Sequence, residues 1–121
     1  MSFDFDNNIP IYIQLVEQIK INIISGAIKS GERLLSVREL ALKYKVNPNT
    51  VQRALMELEN AGLIYTERTN GKFVTNDKEL IQKHKMDYAY ELSTKYLNSM
   101  KNIGFSKNDS INYLNEMEEK E

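Results

Sequence analysis

The sequence predicts a mainly α fold with one small β-hairpin set between its third and fourth helices. Apolar residues recur at helical spacing in several stretches, and capping residues stand in front of most of them. One Asn-Gly pair, Asn70-Gly71, separates two short runs rich in β-branched and aromatic residues, a strong local signal for a hairpin.

The first helix is expected to begin at Pro10, whose fixed φ suits a first helical turn, with Asn7 and Asn8 as cap candidates. Tyr12, Leu15, Val16, Ile19 and Ile23 would form its buried face, and Ser25-Gly26 would end it. Lys29-Ser30-Gly31-Glu32 reads as a turn. Ser36 and Glu39 form a capping box that opens a short second helix with Val37, Leu40, Ala41 and Tyr44 inward, closing at Lys45-Val46. Asn47 is placed as the N-cap of a third helix and Pro48 at its first position. That helix turns Val51, Ala54, Leu55 and Leu58 inward and stops at Ala61-Gly62. Strands are expected at Leu63–Thr66 and Lys72–Thr75, joined by Arg68-Thr69-Asn70-Gly71. Asn76-Asp77 caps a long helix to about Ile103, with Gly104 after its end, and Ser106 starts a last helix carrying Ile111, Leu114 and Met117.

The chain has 121 residues, room for one compact domain and an appendage. Its 41% hydrophobic content suits a folded domain, and no apolar run approaches the ~20 residues that cross a bilayer. The acidic start, Met1 to Asp6, lacks the basic segment of a signal peptide, which predicts a cytoplasmic protein with no membrane partner. Without cysteine there is no disulfide, iron–sulfur cluster or thiolate zinc site. The net charge is only −1, yet it is segregated. Residues 33–72 hold seven basic and four acidic side chains, a net of +3, whereas residues 76–121 hold seven and nine, a net of −2.

Helix, short helix, tight turn, helix, hairpin is the order of a winged helix-turn-helix. Here it would be followed by two C-terminal helices. The major groove, about 12 Å wide, admits one α-helix, and a helix's N-terminal residues point at base edges. On the third helix Asn47, Asn49, Thr50, Gln52 and Arg53 lie opposite the apolar face. Asn and Gln can bond adenine in bidentate fashion, Arg can bond guanine, and Thr can take a phosphate or touch a thymine methyl. These positions are also ordinary cap and surface positions, and for Asn47 the two roles are compatible. The division predicted is a DNA-binding domain over 1–76 and a helical region over 77–121.

The long helix carries two apolar stripes. One is Ile81, Tyr88, Leu92, Tyr96 and Ile103; the other is Met86, Ala89, Leu97 and Met100. The N-terminal core is too small to cover both, so a partner is expected. Tyr88, Tyr90 and Tyr96 with Met86 and Met100 are also the residue types that line a small-molecule effector pocket, an alternative that stands beside packing. His84 has Asp77, Glu79, Asp87 and Glu91 at helical spacing, but one histidine among solvated carboxylates predicts no metal site. No nucleophile triad, glycine-rich phosphate loop or HExxH is present, so neither enzymatic activity nor a cofactor is expected.

Pro10-Ile11-Tyr12, Gly26, Gly31 and Leu34-Leu35-Ser36-Val37-Arg38-Glu39-Leu40-Ala41 resemble the opening of a GntR-family DNA-binding domain. Val46-Asn47-Pro48-Asn49-Thr50-Val51, Ala54-Leu55, Leu58 and Gly62-Leu63-Ile64 continue the resemblance, which spans about residues 9–75. The short helical remainder is similar to the YtrA-type subfamily. The resemblance implies DNA contact by Arg38, Asn47, Asn49, Thr50, Gln52 and Gly71, with Ser36 beside them. It implies a homodimer formed by the C-terminal helices, for which Ile81, Tyr88, Leu92, Tyr96, Met100 and Leu114 are the expected interface. It also implies a palindromic operator and repression of a transporter operon. Two positions depart from the family pattern: Leu35 stands where proline is usual, and the wing reads Arg68-Thr69-Asn70-Gly71 where Arg-Gly-x-Gly is usual. Asn70 is expected to accept a positive φ in this wing. A winged helix used only for protein contact is the alternative, disfavoured by the polar third helix.

Overall fold

The computed structural model describes residues 4–118. Seven elements follow in order: α1 (Ile11–Ile24), α2 (Val37–Tyr44), α3 (Pro48–Asn60), β1 (Ile64–Glu67), β2 (Gly71–Val74), α4 (Lys78–Asn102) and α5 (Lys107–Glu116). The chain forms two compact units that divide between Lys85 and Met86, inside α4.

In the N-terminal unit α3 is central, packed against α1, α2 and β1. Its inward residues Val51, Ala54, Leu55 and Leu58 are all buried at 1% exposure or less. Leu15, Ile19 and Ile23 from α1, Leu40 and Ala41 from α2, and Leu34, Leu63, Ile64 and Val74 complete one continuous core. Val16, Val37, Tyr44 and Ile81 seal its margin. Burying that many large aliphatic side chains supplies the main stabilisation, about 1.5–3 kcal/mol for each one fully removed from water.

The ends of α2 and α3 follow from local chemistry. Ser36 caps α2 through Oγ, which accepts from Glu39 N at 3.1 Å, while Glu39 Oε1 accepts from Ser36 N at 3.0 Å. This reciprocal bonding holds the Glu39 carboxyl below its usual value. Lys45 ends α2 in the left-handed region at φ 56°, which lets Val46 N donate back to Ala41 O. Asn47 then caps α3, its Oδ1 accepting from Asn49 N at 2.8 Å, with Pro48 at the first helical position as expected.

Three local expectations need correction. Asn7 and Asn8 do not cap α1; Pro10 holds the N-cap without a side-chain bond. Gln14 does the work from within the first turn, donating to Asp6 O at 2.7 Å and Ile9 O at 2.8 Å. Both strands are displaced by a residue, so that Glu67 pairs with Gly71 and only Arg68-Thr69-Asn70 form the loop. Asn70 has no left-handed conformation to accept. It closes a turn by donating from N to Glu67 O, and Gly71 alone takes the positive φ, 101°. A turn followed by a left-handed glycine re-entering the strand is the usual form of a three-residue hairpin.

A second short pairing, with a third segment, is not evident from the sequence. Residues 31–34 run antiparallel along β2, with Gly31 N to Val74 O, Val74 N to Glu32 O, Leu34 N to Lys72 O, and a bridge between Arg33 and Phe73.

The C-terminal unit is the remainder of α4 and all of α5. Gly104 follows α4 at φ 97°, with Phe105 N returning to Met100 O and Gly104 N to Lys101 O, a Schellman ending. Ser106 and Asp109 form a second capping box, which starts α5. The expected apolar positions of α5 are not covered: Ile111, Leu114 and Met117 are 43%, 49% and 53% exposed. The buried residue of α5 is Ser110, whose hydroxyl donates to Ser106 O.

Candidate nucleic-acid interface

The outward side of α3 is open between two shallow grooves. One is bordered by Ile11, Tyr12, Asn49, Thr50 and Arg53, the other by Val37, Gln52, Met56, Glu59, Asn60 and Lys72. Asn49 and Gln52 therefore look out on different sides of the helix, one toward the start of α1 and the other toward the start of α2 and the hairpin. Asn49, Gln52 and Arg53 are exposed and Thr50 is half-buried. Asn47 spends its carbonyl oxygen on the cap, which leaves its amide hydrogens to donate outward. Ser36 likewise uses an oxygen lone pair for the cap and keeps a hydroxyl hydrogen. Arg38 is exposed on α2, whose buried side holds Leu40 and Ala41.

Arg53 is arranged differently from its neighbours. Its guanidinium carbon lies 3.8 Å from the centre of the Tyr12 ring. Tyr12, expected in the core, is only half-buried and forms a platform beneath that cation. Such stacking contributes roughly 0.5–1 kcal/mol at an exposed site and fixes the direction of the guanidinium.

The hairpin is tied back to α3 by a polar clasp. Glu59 Oε1 accepts from Thr66 Oγ1 at 2.7 Å and from Lys72 Nζ at 3.0 Å, and Lys72 Nζ also donates to Thr66 Oγ1 at 2.7 Å. The Thr66 hydroxyl, followed by Lys72, holds the Glu59 carboxyl below its usual value. Tyr65 and Phe73 stack on the same hairpin at 5.8 Å. The clasp was not legible in the sequence, where Glu59 and Lys72 count only as opposite charges thirteen residues apart.

In the C-terminal unit, an apolar groove of about 380 Å³ lies between α4 and α5, lined by Leu92, Tyr96, Leu97, Ile111 and Leu114 with Ser93, Lys107 and Ser110. Among the described residues, no position of α4 is buried. Leu92 is 52% exposed, while Tyr88, Tyr96 and Met100 are half-buried. Ile81 belongs to the N-terminal unit, where it packs on the core. His84 is half-buried, and no group of three His, Asp or Glu among the described residues could hold a metal ion.

A capped, polar-faced third helix on an apolar base, preceded by a short helix and followed by a tethered hairpin, defines a winged helix-turn-helix DNA-binding protein. Residues 11–74 match the model of the bacterial regulatory proteins of the gntR family. The chain belongs to that family. It is 40% identical to the transcriptional repressor YtrA of Bacillus subtilis, over 75% of this chain and 71% of that protein. It is 33% identical to the HTH-type regulator YhcF of the same organism, over 92% of each. A GntR family regulator from Listeria monocytogenes superposes with a TM-score of 0.87 at 42% identity, covering 94% of this chain and all of that one. The AraR DNA-binding domain, solved in complex with operator ORE1, superposes at 0.54 with 26% identity over 62% of this chain and 94% of that one. The chain is thus a transcription regulator with a DNA-binding domain, and its relatives and fold are those of regulators rather than enzymes.

Proposed function

We propose that this protein is a cytoplasmic, homodimeric repressor that binds a palindromic operator and controls a transporter operon. The observation that carries the DNA-reading half is the outward face of α3: Asn49, Gln52 and Arg53 stand exposed on a helix whose opposite side is wholly buried. Asn47, Asn49, Thr50 and Gln52 enter the major groove, Arg38 reaches a base from α2, Ser36 donates to a phosphate, and Gly71 brings the wing backbone close to the duplex. Arg53, held on Tyr12, neutralises a phosphate at the side of the groove. Base contacts select the sequence while phosphate contacts set register and bulk affinity.

The homodimer is supported by the apolar groove between α4 and α5 and by the exposure of Leu92 and Leu114 beside it. Tyr88, Tyr96 and Met100 extend this surface along α4. Repression is supported by the relatives named as repressors, YtrA and NagR. Two recognition helices would read half-sites about 34 Å apart. No helix among the described residues is long and apolar enough to cross a membrane.

Selection from a random duplex pool, followed by salt-titrated binding to the recovered site and to unrelated duplex, tests this reading. A palindromic site and a steep fall of affinity with salt are expected, since each neutralised phosphate adds about 0.9 to the slope of log affinity against log salt. No recovered site and no salt-dependent binding would overturn it.

A further inference from the structure

We propose that Arg33 is a phosphate-binding residue seated by the wing, and that one task of Gly71 is to make room for it. The proposal rests on the DNA-binding reading above and adds a contact and a mechanism to it. Arg33 precedes the cap of α2 by three residues, and its backbone is pinned along β2 by the bridge to Phe73 and by Leu34 N donating to Lys72 O at 2.8 Å. This places the side chain at the junction of two elements that face the duplex, the start of α2 and the tip of the hairpin.

The guanidinium lies beside the position where a side chain at residue 71 would begin. A β-carbon added there would meet Arg33 Nε at 3.1 Å, Nη2 at 3.4 Å and Cζ at 3.7 Å. A β-carbon at position 71 would make the guanidinium give by a few tenths of an ångström, and a longer side chain would compete with it for the same space. The backbone requirement, φ 101°, independently favours glycine. Two constraints thus converge on one residue, and only the second concerns the turn.

The charge balance of the wing makes Arg33 the cation available for this role. Lys72 is turned back to Glu59 and Thr66. Arg68 is exposed in the three-residue loop, beyond the paired strands. Arg33 is exposed, is held by its backbone, and makes no hydrogen bond or ion pair among the described residues. Glu39 feels its charge through space. A guanidinium with a fixed base and free N–H groups suits a phosphate oxygen, and less conformational freedom is lost when it binds.

The test is the salt dependence of binding by the full-length protein to unrelated duplex and to its selected site. Arg33→Ala is expected to lower affinity by the same factor on both and to reduce the salt slope by about 0.9 for each such contact, while Arg33→Lys keeps the slope. The pairing along β2 is made by the backbones of Gly31, Glu32 and Leu34, so thermal melting of Arg33→Ala should match the parent. Gly71→Ala should lose the same part of the slope, and adding it to Arg33→Ala should remove no more. An unchanged slope in Arg33→Ala overturns the proposal. So does a loss confined to particular bases of the selected site, which would make Arg33 a base reader. A further loss of slope in the double variant overturns the role given to Gly71. Failure of the parent protein to bind any duplex would instead remove the DNA-binding reading itself, and the two failures are distinguishable.

Discussion

The two units of this chain use their apolar residues in opposite ways. The N-terminal unit gathers thirteen hydrophobic side chains into a core at 8% exposure or less, all between Leu15 and Val74. The C-terminal unit has comparable material, yet Leu92, Ile103, Ile111, Leu114 and Met117 are 43–70% exposed and the residue buried is a serine. Two helices alone offer each other one face, while a third layer is needed to cover the rest. The first unit therefore has a core of its own, and the second leaves its apolar face uncovered among the described residues; under the proposed function its cover comes from outside the single chain. That cover is a second copy.

The largest effect is expected from breaking this complement. Leu92→Glu with Leu114→Glu puts carboxylates at the apolar groove between α4 and α5, where like charges would oppose across a twofold seam. Both side chains are about half exposed in the single chain, so the monomer itself should tolerate the change. Sedimentation should report a monomer, and affinity for the palindromic site should fall by about 10²–10⁴, the gain that linking two binding modules provides. A double variant that stays dimeric would place the interface elsewhere.

Leu58→Ala sharpens the contrast from the other side. Leu58 is 0% exposed, and removing a buried leucine costs about 2–5 kcal/mol. Denaturant unfolding should show this loss at every protein concentration. Leu114→Ala should instead give a loss that depends on concentration, because under the proposed function its cover is supplied by association. Equal, concentration-independent losses would erase the distinction between the units.

Arg38→Ala is expected to separate reading from assembly. With its side chain exposed and the buried face of α2 untouched, melting and oligomeric state should hold. Preference for the selected site over unrelated duplex should drop by about 1–3 kcal/mol, the value of one bidentate base contact. Unchanged preference would remove Arg38 from the base-reading set.

The smallest effect concerns Lys45, the one non-glycine at positive φ among the described residues. Lys45→Gly relieves the left-handed strain but raises the freedom of the unfolded chain. A net stabilisation of the N-terminal unit within about 1 kcal/mol is expected, read as a small rise in melting temperature. A clear destabilisation would show that Lys45 contributes through its side chain.

Much of the fold was legible because its determinants are local. Ser36 with Glu39, Asn47 with Pro48, and the inward set Val51, Ala54, Leu55 and Leu58 each act within one or two turns of helix, so spacing alone reveals them. The hairpin was legible for the same reason, yet its register was off by a residue. Asn-Gly marks a turn, but which residue becomes left-handed depends on loop length, and Gly71 took that conformation in a three-residue loop. The polar residues of α3 were legible as a set. The platform that Tyr12 gives Arg53 was not, since it joins residues 41 positions apart on two helices.

By itself the sequence determined where α2 and α3 start, which faces they bury, and which polar side chains the third helix keeps outside. These are consequences of cap hydrogen bonds and of a 3.6-residue period, and they need only near neighbours. Tertiary structure alone decided that residues 31–34 pair with β2, that Arg33 rests on Gly71, that Glu59 holds the wing, and that Ser110 is the buried position of α5. Each depends on which surfaces meet when the chain closes long loops. No local pattern encodes that choice, because the contact exists only after packing, around α3 in the N-terminal unit and within the C-terminal unit for Ser110, has brought separate segments together.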